Sequence, residues 1–466
     1  MDTINSEMAS LLSEINSEDK SIDPTIKITD PINLPAEIRE KIFADLSGED
    51  LIQCCLVSYQ WDFSVRPSLA YKKKVRLSIF PWSDINMIAS HANILNFENI
   101  SLSNFRMGPE ISFLEKIAWK KAIIKINLFP TEPAYTNYLA YFNESVEDLK
   151  IVNADIRISG IIDVKLVEFP NMKALELNNV SAAAVQPFVC NQRNLETLNL
   201  KCLFESILDP VDKDMMIGNV IQMLRYNSGL KTLILHSDVS NQIFKHDFNE
   251  VIDFNLTHLT LCSDFTRASG MTLQDHIFRF LIQQLKTLES LKLVFRHDCS
   301  VQSSYRPVLF HFSPNKAADF EIIIKVWNYT RNLKKLAIRF MLSKTIGELA
   351  KGQRLRTNTN ITELHMIFDS HINSVRNCYV LSIIKACPNL RKLRVRYLSN
   401  EFFEYLVCYM MNLRVIECYI YGEGLHDTYI KMKNKDYKVN ENIVVVGIEK
   451  HISQIQEQYR DVRINY

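Results

Sequence analysis

Glycine is scarce, with 11 in 466 residues, so the Gly-rich loops that cradle phosphates have little raw material. Long hydrophobic runs are missing too. No window approaches the ~20 apolar residues needed to span a bilayer, and residues 1–30 lack the basic start and apolar run of a secretory signal. The sequence contains no Cys-x-x-Cys pair, no His-Glu-x-x-His helix pattern, no Gly-x-Ser-x-Gly elbow and no P-loop. Hydrolytic, zinc-dependent and nucleotide-driven chemistry therefore have no residue constellation here. The chain reads as a non-enzyme with no metal and no cofactor. A formal net charge of +1 gives no bulk attraction to nucleic acid or membrane, and neither is expected as a partner.

What is present is an ordinary folded composition, 47% hydrophobic and 23% charged, on a chain too long for one hydrophobic core. Its near-neutral sum hides an asymmetry. Residues 1–30 hold seven acidic and two basic side chains, whereas residues 331–420 hold fifteen basic and six acidic ones. The first segment is expected to be an acidic flexible tail, because its one apolar stripe (Met8, Leu11, Leu12, Ile15) is too short to hold a helix alone. The ten cysteines fall largely where buried apolar residues belong, as expected of reduced core thiols in the cytosol or nucleus.

A pattern of apolar-x-x-apolar-x-apolar recurs from about residue 120. It starts at Ile123 (IIKINL), Val146 (VEDLKI), Met172 (MKALEL), Leu195 (LETLNL), Leu230 (LKTLIL) and Leu256 (LTHLTL). Further copies start at Leu288 (LESLKL), Leu333 (LKKLAI), Ile361 (ITELHM), Leu390 (LRKLRV) and Leu413 (LRVIEC), with a weaker one at Ala92 (ANILNF). Neighbouring units are 23 to 45 residues apart. One such hexapeptide means little in an α/β protein; eleven in order are the mark of a leucine-rich-repeat array. The asparagine that normally follows the strand is mostly missing, and 296–330 is an enlarged repeat. Apolar residues at three- and four-residue intervals predict helices over 211–226, 272–286, 316–330 and 400–411. An amphipathic segment, 448–466, suits the polar cap that a solenoid's exposed end requires.

Residues 34–61 read LPAEIREKIFADLSGEDLIQCCLVSYQW. Pro35 fits the first turn of a helix and Glu37 its positive end. Ile38, Ile42 and Leu46 form a stripe broadened by Phe43; Gly48 is expected to end that helix, and Ser47 with Asp50 to cap the next. Trp61 opens a third helical segment, roughly 61–73. Some twelve large apolar residues fall within about forty, more than so small a unit can bury. The surplus must be covered by the repeats or by another protein, and a Phe and Trp among it suit a binding hot spot.

The order L-P-x-E-I-x3-I-F-x2-L followed by D-L-x2-C-x2-V-S-x2-W resembles the F-box, and with the repeats the chain is similar to F-box/leucine-rich-repeat proteins. The resemblance implies an α/β fold, with a small all-helical F-box (31–75) ahead of a leucine-rich-repeat solenoid (76–447). Such a solenoid has a curved parallel sheet inside and helices outside. It also implies the substrate-recognition subunit of an SCF-type ubiquitin ligase, whose F-box binds a Skp-type adaptor and, through it, cullin and a RING subunit. Carried over by position, the adaptor-facing residues are Leu34, Pro35, Ile38, Phe43, Leu46, Leu51, Val57 and Trp61, with Ser58 where many members have cysteine. A scaffold acting outside any ligase is the alternative.

Alternate strand residues face the concave side. Toward the C-terminus these are Lys335, Ala337 and Arg339, then Lys392, Arg394 and Arg396. Lys335, Arg339, Lys392, Arg394 and Arg396 are therefore expected to bind an acidic or phosphorylated segment of a protein target, with a solvated charged face as the bland alternative.

Overall fold

A computed structural model describes residues 34–80, 97–103, 117–125, 139–142, 144–153, 168–189, 194–203, 210–236, 254–263, 280–295, 327–329, 332–340, 355–368, 378–421, 424–434 and 437–447, together with 83, 86, 114, 239 and 243–244. The acidic segment 1–30, most of the enlarged repeat and the expected cap at 448–466 lie outside those residues. The chain divides into two compact units. One comprises Met1–Ser101 and Gly108–Trp119, the other Leu102–Met107 and Lys120–Tyr466.

The smaller unit contains α1 (Ala36–Asp45), α2 (Gly48–Val57), α3 (Tyr59–Val65), α4 (Leu69–Lys74), β1 (Arg76–Ile79) and the start of β2 (Asn99–Ser103). The single helix expected over 61–73 is two, α3 and α4. Pro67 has no N–H with which to extend α3, and Ser68 takes extended backbone and accepts a hydrogen bond from Tyr71 N at 3.1 Å, capping α4.

The larger unit is α/β. Its strands are β3 (Lys121–Lys125), β4 (Asp148–Val152), β5 (Ala174–Val180), β6 (Thr197–Leu203), β7 (Thr232–Leu235), β8 (His258–Ser263), β9 (Ser290–Phe295), β10 (Lys335–Phe340), β11 (Glu363–Phe368), β12 (Lys392–Leu398), β13 (Val415–Tyr421) and β14 (Val444–Gly447). They lie side by side in chain order, and every neighbouring pair is parallel. Helices between them include α5 (Ala182–Val185), α6 (Pro210–Tyr226), α7 (Cys378–Lys385), α8 (Asn400–Tyr409) and α9 (Leu425–Lys433). The stretches expected at 211–226 and 400–411 correspond to α6 and α8, and α7 ends just ahead of Cys387-Pro388, where the proline is expected to stop a helix; α9 was not expected. Of 272–286 and 316–330, only 280–284 and 327–329 are described as helical.

Register explains the repeat. Leu149, Leu175, Leu198, Leu233, Leu259, Leu291, Leu336, Leu364, Leu393 and Ile416 stand opposite one another strand after strand, all buried. A second buried row, two residues on, includes Ile151, Leu177, Leu200, Leu235, Leu261 and Leu293. The pattern's second and third apolar positions are these two rows.

Two frames differ from the sequence reading. β3 pairs Ala122 with Leu149 and Ile124 with Ile151, so its unit begins at Trp119 (WKKAII), not Ile123; Trp119, Ala122 and Ile124 are all buried. Likewise Phe97, just ahead of β2, and Ile100 and Leu102 on it are the buried apolar residues, so the frame is FENISL rather than ANILNF. A further strand, β14, went unread because Ile443–Val446 is one apolar run without period and Gly447 stands opposite Cys418.

Polar links join successive repeats where each strand begins. Lys173 N donates to Glu147 O at 2.8 Å, Glu196 N to Lys173 O at 2.8 Å and Lys231 N to Glu196 O at 2.9 Å; the series runs on through Arg414 N to Arg391 O at 2.8 Å. Asparagines just before the first apolar position add a second tie. Asn171 Nδ2 donates to Glu144 O at 2.6 Å, Asn389 Nδ2 to Thr359 O at 2.8 Å and Asn412 Nδ2 to Pro388 O at 3.1 Å. Asn153, which follows β4, and Asn179, near the end of β5, both take φ near +60° (59° and 58°), a conformation asparagine tolerates, and their side chains bond at 2.9 Å.

Buried Asn440 is the strongest such tie. Its Nδ2 donates to Met410 O at 2.9 Å and Leu413 O at 2.8 Å, while its Oδ1 accepts from Asn442 N at 3.1 Å. Asn440→Ala strands these groups and is expected to cost about 2–4 kcal/mol, read as a lower urea midpoint. Cysteine burial gives a pH dependence. Burial pushes the Cys387 thiol up to about 12 and that of Cys418 up to about 11, and neither side chain has exposed surface. Because the folded values lie above the ordinary 9.0, their contribution is complete below about pH 9 and is lost as pH rises toward the folded values. The expected decline is up to about 1.4 kcal/mol per pH unit for each thiol, visible as a falling urea midpoint between pH 8 and 10.5.

Candidate functional site

The helical segment 34–74 is built around few buried residues. Phe43, Leu51, Cys55, Val65, Ala70 and Tyr71 form its inside. Phe43 meets the half-buried Trp61 ring at 6.3 Å, tilted by 57°. Pro35 is the N-cap of α1, one position ahead of the expected first turn, and its carbonyl accepts from Ile38 N at 3.0 Å and Arg39 N at 3.1 Å. Arg39 Nη1 donates to Ser64 Oγ at 2.8 Å, tying α1 to α3.

The Ser47/Asp50 capping box is present. Asp50 N donates to Ser47 Oγ and Ser47 N to Asp50 Oδ2, each at 3.1 Å. Hydrogen bonds from the Ser47 side chain and backbone hold the Asp50 carboxyl below its usual range. Gly48, however, does not end α1. That helix stops at Leu46 in extended conformation, and Gly48 is the first residue of α2. Lys74 Nζ donates to Ala44 O, and to Leu46 O at 2.7 Å, closing the exposed carbonyls of α1 from the far end of α4.

The eight positions expected to face an adaptor therefore divide. Phe43 and Leu51 lie in the segment's own core at 3% and 0% exposure, because the short helices close on them. They shape the surface from beneath instead of presenting themselves. Leu34, Leu46 and Trp61 are half-buried; Pro35, Ile38 and Val57 are exposed. The adaptor-facing set omits Ile42, Ile52, Leu56, Tyr59, Phe63 and Leu69, all exposed, with Leu56 at 67% and Phe63 at 72%; Ile42, Ile52, Leu56 and Phe63 belong to the apolar surplus counted in the sequence, whereas Tyr59 and Leu69 were missed. Among the described residues, eight of the eighteen exposed large hydrophobics fall between Ile38 and Leu69. The signal was available: once Leu51 and Cys55 take the inside of α2, Ile52 and Leu56 are turned off it.

On the open face of the larger unit, the expected cationic residues are largely engaged. Lys335 Nζ pairs with Glu363 at 2.8 Å and Lys392 Nζ with Glu417 at 2.6 Å. Arg394 lies 3.7 Å from Glu417, bonds Tyr419 OH through Nη2 at 3.0 Å and sits over the Tyr419 ring. Arg396 is exposed. Arg339 is on β10, but its side chain lies outside the described residues. The excess of positive charge read from the sequence is thus not an open patch at Lys335, Lys392 and Arg394, since neighbouring strands bring carboxylates that linear counting does not place. The same holds near β5. Burial works against ionisation of Glu176, but Lys201 and Lys150 at 2.7 and 2.9 Å outweigh it and hold the carboxyl below its usual range.

Among the described residues, no group of three or more His, Cys, Asp or Glu side chains is placed to hold a metal ion, and no helix is long and apolar enough to cross a membrane. Compared with known proteins, the chain matches no family model and no curated protein.

Gly48 gives a test of the helical segment. A Cβ there would lie 2.8 Å from the Lys74 carbonyl oxygen, so Gly48→Ala, which ordinarily favours a helix by up to ~1 kcal/mol, is expected to destabilise by about 1–3 kcal/mol. Thermal unfolding of the variant beside wild type, followed by circular dichroism, reads the sign.

Proposed function

We propose that this chain is the substrate-recognition subunit of an SCF-type ubiquitin ligase. Residues 34–74 dock a Skp-type adaptor, and the repeat unit receives the protein to be ubiquitinated. The observation that carries this reading is the crowding of exposed apolar side chains on so short a helical segment. Ile38, Leu56, Val57, Phe63 and Leu69 are each at least 45% exposed, the first three within the stretch 34–61 whose order resembles the F-box and the other two just after it. Exposed apolar side chains scattered singly need no explanation, whereas a concentration of them asks for a partner.

Support also comes from how the segment is held. Three side-chain caps, from Ser47, Ser58 and Ser68, and the Arg39 and Lys74 ties fix four short helices without spending the exposed residues on internal packing. A pre-formed surface loses little freedom on binding. In this reading Phe43 and Leu51 act as supports, and Leu34, Pro35, Ile38, Val57 and the exposed edge of Trp61 make the contact, joined by Leu56 and Phe63. The compartment consistent with this role is the cytosol or nucleus.

Leu56→Asp and Phe63→Asp change side chains that the fold does not bury. Each is expected to weaken capture of a purified Skp-type adaptor by at least about 2 kcal/mol, roughly thirtyfold, while leaving thermal unfolding unchanged. Wild-type capture by both variants would overturn the assignment. Recovery of adaptor without cullin would favour a scaffold outside the ligase.

A further inference from the structure

Where the strands begin, the larger unit carries a polar cleft of about 690 Å³ lined by Glu289, Asn332, Lys334, Asn389, Arg391 and Asn412 among others. All of its residues but Thr359 come from two rows of the repeat: the position just before the first apolar residue, and the position one before the strand. The cleft spans β9 to β13. At the usual ~4.8 Å between strands that is about 19 Å, the length of roughly six extended residues.

Charge along the second row changes character. Upstream, the row alternates in sign and pairs with itself: Lys173 with Glu147, Lys231 with Glu196 and Lys334 with Glu289, each at 3.0 Å. Downstream it reads Thr362, Arg391, Arg414, with no carboxylate. Arg391 and Arg414 are exposed, adjacent through Arg414 N to Arg391 O at 2.8 Å, and form no ion pair among the described residues. Glu289, the acidic residue of the lining, is already tied to Lys334. Along the first row, Asn332, Asn389 and Asn412 donate their amide nitrogens to the preceding loop. The oxygens of Asn332 and Asn412 are left to accept main-chain N–H groups.

We propose that this cleft binds an extended acidic segment of polypeptide, with its carboxylates or phosphates on Arg391, which lines the cleft, and on Arg414, next to it in the same row beyond the lining, and its backbone along the asparagine row. Guanidinium groups suit planar anions, which they hold bidentately, and these two belong to residues whose backbones are hydrogen-bonded to each other. The lining contains no aromatic residue, so nothing is offered on which the bases of a single-stranded nucleic acid could stack. The proposal rests on reading the repeats as a recognition surface but not on adaptor docking, which Leu56 and Phe63 test separately.

Fluorescence anisotropy with the full-length chain decides it. The probes are a labelled twelve-residue peptide of alternating Glu and Ser, its phosphoserine form, a Lys/Ser counterpart and a twelve-nucleotide oligouridylate. At least one acidic peptide is expected to bind saturably, the tighter of the two identifying the native anion, and the Lys/Ser peptide not to bind. R391E/R414E is expected to weaken binding at least about tenfold, and R396E, on the open face, to change it less than about twofold. Arg391 and Arg414 support no internal ion pair, so the double variant should unfold at the wild-type temperature and still capture adaptor. Undiminished binding by R391E/R414E overturns the proposal, as does loss in R396E instead, tighter binding of the oligouridylate, or saturable binding of neither acidic peptide.

Discussion

Parallel registration of short strands is the constraint on which the larger unit depends. A parallel strand cannot bury its apolar side alone, and a neighbour offset by one residue would present the opposite side chains. The chain meets this by giving every strand the same two inward positions and the same hydrogen-bonded start. Lys173, Glu196, Lys231 and their counterparts donate backwards to the preceding repeat at 2.8–2.9 Å, so each strand is located by the one before it. The asparagine amides repeat the tie one loop earlier. Side chains outside those positions are then free to carry charge.

That freedom shapes the electrostatics. Lysines and glutamates that are far apart in sequence become neighbours on adjacent strands, as Lys150, Glu176 and Lys201 do. Exposed pairs of this kind contribute little stability individually, but they remove most of the local charge that a count along the sequence suggests. Recognition must therefore be sought where the pairing lapses. For the apolar surface of residues 34–74 the same logic operates with a different force: the ties of Lys74, Arg39 and the serine caps are polar, which leaves greasy side chains outside.

Much of the array was legible because leucine at both inward positions is a strong and repeated signal. From Val146 to Leu413 the hexapeptides and the strands coincide. The misreadings share a cause. At β3 the inward residues are Ala122 and Ile124, so the larger Ile123 and Leu128 drew the frame forward. At β2, Phe97 ends one plausible hexapeptide and begins the real one. β14 replaces an apolar residue with Gly447. In the helical segment the capping box was readable from Ser47 and Asp50, yet the placing of Gly48 was not, since its reason is the nearness of the Lys74 carbonyl. The division of the eight adaptor positions into supports and exposed residues depends on how α1 to α4 close on Phe43 and Leu51, and spacing alone does not reveal closure.

The constancy of register has a consequence for how such a chain can change. Successive units are separated by anything from 23 to 45 residues, yet Leu291 still stands opposite Leu336 across the longest interval. Lengthening a connection therefore leaves the two apolar rows untouched, and loop closure grows only slowly dearer with length. New segments can be grafted between strands while the ladder keeps its order, which makes the connections the natural ground for acquiring novelty.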